Sequence, residues 1–457
     1  MKRKYIGDKA FYKMAMTVAV PIMLQNFITN LVNMLDNLMV GSLGTEQMSG
    51  VSIVNQLVFV FNLCIFGGLS GIGIFTSQFY GKNDNEGIRH TLRMKMITAV
   101  TVVITALILF SAFDDFFINL FLHETDDSGD LVLTLSFAKQ YLEIILIGLL
   151  PFALSQMLAS TLRETGNTFV PMLSGLVAVI INGSFNYLLI FGKAGFPMLG
   201  VKGAAIATVM SRFAELIIET VYIIVKREKY PYIKGAFSSL KIPGKLLTSM
   251  LAKGTPLLVN ELLWSGGITA LSIAYSLHGI SVVAASSIAS SVTNLFNIAF
   301  LSMGTSIGII AGKSLGAGKH EEAIDNVRKM IFLSVSISIV IGIILYFTAG
   351  SITSLYKTDE ESKKLALYFI RVCSFVMPLN AFANASYFTL RSGGKTLITF
   401  VFDSGTLWTV SVPLAFLLYA AGLPVMAIYP IVQSAETVKV IVGYILIKKR
   451  VWVKTIV

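Results

Sequence analysis

Long apolar runs recur along the whole chain, and they constrain its fold more than any other feature. Each run is long enough for an α-helix to cross the hydrocarbon core of a bilayer, which takes about 20 residues. Twelve runs can be placed, at residues 14–40, 49–79, 94–112, 132–160, 169–191, 199–225, 253–277, 282–312, 330–350, 365–390, 397–420 and 424–447. The sequence therefore predicts an all-α integral membrane protein with twelve transmembrane helices.

The composition excludes an ordinary soluble protein. Charged residues make up 13% of the 457 residues, whereas soluble chains carry about 25%. The mean hydropathy is +0.76. The first apolar run is too long for the core of a cleaved signal peptide, so we expect none. Cys64 and Cys373 both lie in apolar runs, and no disulfide framework is expected.

Charges between the predicted helices alternate in sign, which predicts how the chain is oriented. Lys and Arg concentrate in the cytoplasmic loops of membrane proteins. Basic residues cluster at both termini and after the second, fourth, sixth and eighth helices: Lys2, Arg3, Lys4, Lys9, Lys13, Lys82, Arg89, Arg93, Lys95, Arg163, Lys226, Arg227, Lys229, Lys234, Lys241, Lys245, Lys313, Lys319, Arg328, Lys329, Lys448, Lys449, Arg450 and Lys454. Acidic residues cluster in loops of the opposite side: Asp114, Asp115, Glu124, Asp126, Asp127, Asp130, Asp359, Glu360 and Glu361. We therefore expect a plasma-membrane protein with both termini in the cytoplasm, and we attribute the net charge of +11 to topology rather than to nucleic-acid binding.

The chain also repeats itself. Residues 71–82 align with residues 306–317, and residues 163–168 align with residues 391–396. Because both halves begin on the same side of the membrane, the repeat is parallel, with its axis along the membrane normal. The sequence therefore predicts two related lobes of six helices each.

The repeat also predicts the domain boundaries. We expect an N-terminal lobe at residues 1–225 and a C-terminal lobe at residues 253–457. Residues 226–252 form a cytoplasmic linker between them, whose proline and glycine residues indicate a loop.

Three acidic residues lie inside predicted membrane helices: Asp36, Glu261 and Asp403. A carboxylate in the hydrocarbon core is unfavourable by several kcal/mol unless it faces water, a partner or the bundle interior. Apolar surroundings favour the neutral form of a carboxyl group, so each of these residues can take up a proton. The alternative is a hydrogen-bonded carboxyl group that only packs the bundle. The first interpretation makes an ion-coupled transporter the leading hypothesis.

Several polar side chains accompany these acids. Asn182 and Asn186 are four residues apart and share a helix face, where they can hydrogen-bond Asp36 or line an ion site. Asparagine also commonly links membrane helices without any further function. Two charged pairs at a spacing of three residues, Arg212 with Glu215 and Glu436 with Lys439, are expected to be structural.

No motif indicates an enzyme. The segment Gly312-Lys313-Ser314 imitates a phosphate-binding loop, but Ile307 stands where that motif requires glycine, and the segment ends a membrane helix. The histidines show no paired spacing typical of metal ligands: His90, His123, His278 and His320.

The order and spacing of several motifs resemble the multidrug and toxic compound extrusion (MATE) family. The resemblance is carried by residues 36–44 (DNLMVGSLG), residues 200–208 (GVKGAAIAT) and the paired loops 163–166 and 391–394, and it covers essentially the whole chain. It implies a V-shaped pair of lobes and the efflux of organic, often cationic, compounds in exchange for protons or sodium. We accordingly expect small organic molecules and membrane lipids as partners, a monomer, and no cofactor besides the coupling ion.

The resemblance also implies where the coupling ion binds in the N-terminal lobe. The family's site falls on Asp36, Asn182, Asn186 and Thr208, and sodium, if it binds, would lie at Asp36 and Asn182. Some members carry a second acid where this chain has Asn186. One carboxylate with neutral oxygens makes a poorer site for a hard cation, so we favour the proton and leave sodium open.

In the C-terminal lobe, the family's acid in the seventh helix matches Glu261. A further acid in the tenth helix of some members matches Asn380, and Asp403 in the eleventh helix is expected to take part of its role, although at a distance from Glu261.

Four amide residues are candidates for binding the substrate: Gln25, Asn33, Asn37 and Asn380. For the three residues near Asp36, a structural role in linking helices is the simpler interpretation.

A flippase of a lipid-linked precursor, from the wider superfamily, is the alternative function. Such proteins usually have more helices or a cationic cavity, whereas the charges inside this membrane domain are mainly acidic.

Overall fold

The computed structural model describes residues 5–119, 131–356 and 358–457. The basic residues Lys2, Arg3 and Lys4, the acidic residues Glu124, Asp126, Asp127 and Asp130, and His123 lie outside the described residues. The helices are α1 (Lys9–Gly41), α2 (Thr45–Lys82), α3 (Asn85–Ala112), α4 (Asp114–Asn119), α5 (Leu131–Glu164), α6 (Phe169–Phe191), α7 (Val201–Val225), α8 (Gly244–Ser276), α9 (Ile280–Gly316), α10 (His320–Ser354), α11 (Glu360–Ser392), α12 (Thr396–Phe400), α13 (Val412–Ala420), α14 (Val425–Ser434) and α15 (Glu436–Lys448). Two π-helical turns, Val401–Gly405 and Leu407–Ser411, connect α12 with α13.

Eleven helical segments of the described residues are long and apolar enough to cross a membrane, with α12–α13 and α14–α15 each forming one segment. A twelfth helix, α7, has 25 residues but carries three charged side chains in its middle, Arg212, Glu215 and Glu219. These segments correspond to the twelve predicted helices. The prediction of an all-α, multi-pass membrane protein is confirmed.

Several helices extend beyond the apolar runs that predict them. α3 begins at Asn85, so Arg89, Arg93 and Lys95 are helical, although their charges suggested a loop. Arg93 and Lys95 are even buried, with 9% and 0% of their surfaces exposed. Hydropathy fails here because a charged side chain with a partner inside the bundle gives the same sequence signal as a solvated one.

The internal repeat is visible in the helices themselves. α1 and α8 each have 33 residues and contain a proline, Pro21 and Pro256, at matching positions. α5 and α11 likewise contain Pro151 and Pro378. Proline removes one backbone hydrogen bond and favours a bend in a helix, so the matching prolines of α1 and α8 favour bends at the same place in both halves.

The described residues form two compact units. The N-terminal unit consists of Leu24–Thr76 and Asn85–Met250. The C-terminal unit consists of the described residues up to Met23, of Ser77–Asp84 and of Leu251–Val457. The lobe boundaries at residues 225 and 253 stay a prediction.

The linker after α7 covers one end of the N-terminal unit. Arg93 on α3 donates to three of its carbonyl oxygens, those of Gly235, Ala236 and Lys241, at 3.3, 2.6 and 2.9 Å. The hydroxyl groups of Thr165 and Tyr232 are 3.0 Å apart. We call this end, formed by the start of α3, residues 164–168 and the linker, the linker end.

The chain after α15 covers one end of the C-terminal unit in a similar way. Trp452 is 1% exposed and packs in a core that α9, α10 and α11 share with the start of α1. Its carbonyl oxygen occupies the space that a Cβ atom on Gly393 would need. The Gln78 amide donates to the Ser392 carbonyl at 2.9 Å and accepts from the Ile456 backbone at 2.8 Å.

α11 begins with a capped turn outside the apolar core. The Asp359 carboxylate accepts hydrogen bonds from the Ser362 backbone N–H at 2.8 Å and from the Ser362 hydroxyl at 2.7 Å. These bonds favour the charged form and lower the pKa of Asp359. An aspartate at this position satisfies a free N–H of the first helical turn.

Large apolar side chains project from the surface of both units. Ile104 and Ile108 on α3 are 51% and 59% exposed, and Ile343 and Phe347 on α10 are 52% and 77% exposed. An exposed apolar surface of this extent fits helices whose outer faces contact lipid.

Candidate functional site

Asp36 on α1 lies in a polar cluster with α6 and α7 inside the N-terminal unit. The Asn186 amide donates to the Asp36 carboxylate. The neighbouring Asn182 amide lies with one end 2.9 Å from both carboxylate oxygens and the other end 3.2 Å from Thr208 Oγ1. The structure therefore brings together the four residues that the family resemblance implies for this site.

Local sequence explains how α6 and α7 position these groups. Asn182 and Asn186 are one helical turn apart, so both amides face the same side of α6. Gly203 on α7 lies against the backbone of Leu189, where a Cβ atom would be only 2.7 Å from the Leu189 carbonyl. This close approach of the two helices places Thr208 within hydrogen-bond distance of Asn182.

Asp36 has amide partners rather than a cationic one. In the described part of the chain, no Lys, Arg or His lies within ion-pair distance of its carboxylate. The closest influence of a positive charge comes from Arg212, one turn after Thr208. The Arg212 guanidinium lies 3.6 Å from Glu215 and 4.7 Å from the centre of the Phe152 ring.

Two further side chains lie beside this cluster and are not predicted from the sequence. Tyr141 on α5 is 5% exposed, and its phenol group interacts with both Asp36 and Thr208. Arg212 follows Thr208 by four residues, a spacing that indicates a shared helix face. No pattern in the sequence indicates Tyr141, which is separated from Asp36 by more than one hundred residues.

In the C-terminal unit, Asp403 is part of a compact ionic cluster. Lys439 Nζ lies 3.1 Å from Asp403 Oδ1 and 3.0 Å from Glu436 Oε1. The Asn260 amide donates to Asp403 Oδ2 at 3.1 Å. Both i,i+3 charged pairs are thus formed, but the sequence did not reveal that Lys439 also neutralises Asp403.

Asp403 lies on a π-helical turn, where the backbone departs from regular α-helix. The next residue, Ser404, donates its hydroxyl hydrogen to the Asn260 side chain at 2.7 Å. π-helical turns inside α-helices are frequent at functional sites, because they shift the direction of the following side chains. No pattern in the sequence indicates this turn.

Glu261 lies close to the Asp403 cluster. It is half-buried on α8, directly after Asn260, and interacts electrostatically with Arg391 and Asp403. The two acids, expected at a distance from each other, therefore influence each other. Asn260 explains this proximity because it contacts Asp403 while Glu261 follows it in the chain.

The four candidate substrate residues have different surroundings. Gln25 accepts a hydrogen bond from Arg163 at 3.4 Å and lies beside Gly175 on α6, which favours the simpler role as a link between helices. Asn33 and Asn37 are exposed on α1, and Asn380 is half-buried on α11. Neither Asn33 nor Asn37 joins the described hydrogen bonds around Asp36.

A second ionic pair inside the N-terminal unit was also missed. Lys95 Nζ, fully buried, donates to the Glu164 carboxylate and to the hydroxyl groups of Ser160 and Thr161, at 3.0 and 3.2 Å. The Glu164 carboxylate occupies the space above Gly73 on α2, where a Cβ atom would clash with it. Gly73 therefore allows α2 to approach the pair.

Within the described residues there is no group of three or more His, Cys, Asp or Glu side chains placed to hold a metal ion.

Comparison with known proteins gives consistent results. A family model described as MatE matches the chain twice, at residues 21–188 and 256–417. The two matches cover the two halves of the internal repeat.

The chain is similar to two bacterial proteins over most of its length. It is 27% identical to the Probable multidrug resistance protein NorM of Thermotoga maritima, covering 88% of this chain and 84% of that protein. It is 27% identical to the Probable multidrug resistance protein YoeA of Bacillus subtilis, covering 93% and 91%. Among solved structures, a MOP superfamily transporter from Pyrococcus furiosus superposes with a TM-score of 0.85 at 20% identity, covering 99% and 98%. That likeness shows the fold.

Proposed function

The chain belongs to the MATE family of transporters, and from this premise we propose that it is a secondary active antiporter. It exports organic, cationic compounds in exchange for protons by alternating access. Binding of the substrate and binding of the proton both use polar groups inside the membrane domain, and neither needs a catalytic group.

The geometry around Asp36 is the observation that supports this proposal most. The partners of Asp36 are neutral amide and hydroxyl groups, and no cation lies within ion-pair distance in the described residues. The net charge of this cluster therefore changes when the carboxyl group gains or loses a proton. Its binding energy for the proton can therefore differ between inward-open and outward-open states, which is the condition for an ion gradient to drive transport.

The Asn182 amide suits both protonation states of Asp36. With its nitrogen toward Asp36, it donates to both carboxylate oxygens at 2.9 Å, and its oxygen accepts from Thr208. With its oxygen toward Asp36, it can accept a hydrogen bond only from the protonated acid. A rotation of one amide group thus accommodates binding and release of a proton.

The same donors argue for the proton over sodium as the coupling ion. Sodium needs several oxygen ligands, whereas two amide nitrogens can face Asp36 at this site. Sodium stays the alternative coupling ion. If it binds, its ligands would be Asp36, Thr208 and Asn186 Oδ1, which is buried and accepts no hydrogen bond in the described part of the chain.

We propose that Glu261 and Asp403 form the responsive group of the C-terminal unit. Lys439 pairs with Asp403, and the positive charge of Arg391 acts on Glu261, so a cationic substrate can compete for both carboxylates. Asn380, on α11, is retained as a candidate substrate contact, with Asn33 and Asn37.

The proposed orientation in the plasma membrane follows from the charges. The linker end, with Arg89, Arg93 and Arg163, faces the cytoplasm, and so do both termini. The antiporter acts as a monomer in contact with lipids, and its partners are small organic molecules.

The test is gradient-driven uptake of ethidium, a fluorescent organic cation, into everted membrane vesicles. An imposed pH gradient, acidic inside, is expected to drive accumulation, whereas a sodium gradient at uniform pH and clamped voltage does not. Vesicles with the Asp36→Asn variant provide the background. Accumulation driven fully by sodium would reassign the ion. Movement of a lipid-linked precursor with no ethidium transport would favour the flippase instead.

A further inference from the structure

Glu219 on α7 is a buried acid that the proposed transport site does not use. It is 0% exposed and lies three helical turns beyond Thr208, toward the C-terminal end of α7, where the linker begins. Residues 208, 212, 215 and 219 follow each other at spacings of four, three and four, so they share one helix face. This face leads from the Asp36 cluster over about 16 Å toward the linker end, at 1.5 Å per residue.

Two hydroxyl groups surround the Glu219 carboxyl group. Ser155 on α5 donates to Oε2 at 3.1 Å, and Ser174 on α6 donates to Oε1 at 2.9 Å. Both serines are 0% exposed. The carboxyl group therefore joins α5, α6 and α7 in a region that water does not reach.

Glu219 has no cationic partner within ion-pair distance in the described part of the chain. The charged groups that influence it are Glu215, one turn away on α7, and Arg163 on α5. Arg163 also interacts with Glu164 and Glu215, and Glu215 pairs with Arg212. A buried carboxylate without its own ion pair is strongly unfavourable, whereas the protonated acid is tolerated.

The hydrogen bonds around Glu219 fit both protonation states without a change in helix packing. Ser174 has one hydroxyl hydrogen but two acceptors within reach, Glu219 Oε1 at 2.9 Å and the Pro171 carbonyl at 3.1 Å. When Glu219 is ionised, Ser174 donates to it. When Glu219 is protonated, the acid donates to Ser174 Oγ, and Ser174 donates to Pro171.

We propose that Glu219 is a second proton-binding site of the N-terminal unit, which takes up the proton between its release from Asp36 and its exit at the linker end. This inference rests on the proposed proton coupling at Asp36. The α7 face that joins the two acids holds Arg212 and Glu215, whose ion pair keeps the intervening segment polar. The serine hydroxyl groups act as proton relays at the final acid.

Infrared spectroscopy of the full-length protein in vesicles tests the protonation directly. At neutral pH, the wild-type spectrum is expected to contain a carboxylic acid C=O component that is missing in Glu219→Gln, so that it is isolated in the difference between the two spectra. The matched control Glu215→Gln, one turn away on the same helix, is expected to leave this component in place because Glu215 has the Arg212 guanidinium as an ion-pair partner at 3.6 Å. Identical carboxylic acid bands in the wild type and in Glu219→Gln would show that Glu219 is a carboxylate that only joins helices.

Transport assays then separate a static acid from one on the proton route. Glu219→Gln is expected to lose ethidium accumulation driven by a pH gradient, while exchange of external for internal ethidium without a gradient persists. Thermal unfolding and size-exclusion profiles equal to those of the wild type exclude misfolding, and Glu219→Asp, which keeps a titratable group, is expected to recover part of the driven transport. Driven transport equal to the wild type in Glu219→Gln overturns the proposal. If sodium drives the wild type instead, the proposed function fails, and the infrared band still reports on Glu219 separately.

Discussion

Asp36 and Asp403 are aspartates in equivalent apolar stretches, yet their neighbours give them different chemistry. Asp36 has amide and hydroxyl partners, whereas Asp403 has Lys439 at 3.1 Å. Lys439 therefore balances the charge of Asp403, whereas no cation lies within ion-pair distance of Asp36 in the described residues. Proton uptake therefore suits Asp36, and substrate-induced rearrangement of charges suits Asp403.

We predict that Asp36→Asn abolishes ethidium transport to the level of vesicles without the protein. Asparagine is nearly isosteric with aspartate, so folding and thermal unfolding should be unchanged, and only the titrating group is lost. Leu38→Ala, at a 61% exposed position on the same helix, serves as the control. Wild-type transport by the asparagine variant would refute a coupling role for this carboxyl group.

For Lys439 we predict a loss of stability. Lys439→Met leaves two carboxylates without their shared cation, and removing one partner of a buried ion pair lowers the free energy of unfolding by on the order of 3 kcal/mol. Thermal unfolding in detergent measures this loss. The double variant with Asp403→Asn should be more stable than the single variant, and equal stability of the two would argue against the observed pairing.

The two segments that follow the sixth and the twelfth membrane helices each cover one end of a compact unit. The linker after α7 is held by Arg93, and the chain after α15 inserts Trp452 into the core of the C-terminal unit. Each segment follows the last helix of its half and covers one end of a compact unit. The repeat thus extends beyond the membrane helices to the segments that follow them.

Trp452→Ala is expected to lower the free energy of unfolding by about 3–5 kcal/mol, because truncation of a buried tryptophan leaves a large cavity. Tyr444→Ala, at a 56% exposed position on α15, should have a much smaller effect. Calorimetric or fluorescence-monitored unfolding of both variants in the same detergent makes the comparison. Equal effects would contradict the buried position of Trp452.

For the whole chain, hydropathy was sufficient to predict twelve helices, because a helix must be apolar over about 20 residues to cross a bilayer. The i,i+4 spacing was sufficient to place Asn182 and Asn186 on one face. Contacts between distant helices carry no such signal. The pairing of Lys439 with Asp403 depends on how the π-helical turn Val401–Gly405 and α15 pack in three dimensions.

At Lys95 the charge pattern predicted the wrong environment. Its charge was counted as evidence for a cytoplasmic loop, but it is buried against Glu164. A single sequence cannot distinguish a lysine in a loop from one with a buried partner. The orientation therefore needs its own test.

We predict that the loop before α11 is extracellular. The predicted partner loop with Asp126 lies outside the described residues, so the experiment uses Glu361→Cys, an exposed position, in a variant whose Cys64 and Cys373 are replaced by alanine. It should react with an impermeant thiol reagent on intact cells. Lys319→Cys, exposed at the opposite end of α10, should react only after the cells are opened. Reversed labelling would invert the topology.

The most direct test of proton-coupled export is the movement of protons that substrate efflux itself produces. Purified protein is reconstituted into voltage-clamped liposomes loaded with ethidium and an internal pH indicator, in buffers without sodium. Ethidium efflux is expected to acidify the interior in the wild type and to leave the internal pH unchanged in Asp36→Asn. Ethidium efflux without acidification would contradict proton coupling. Efflux that requires or is accelerated by external sodium would contradict it as well.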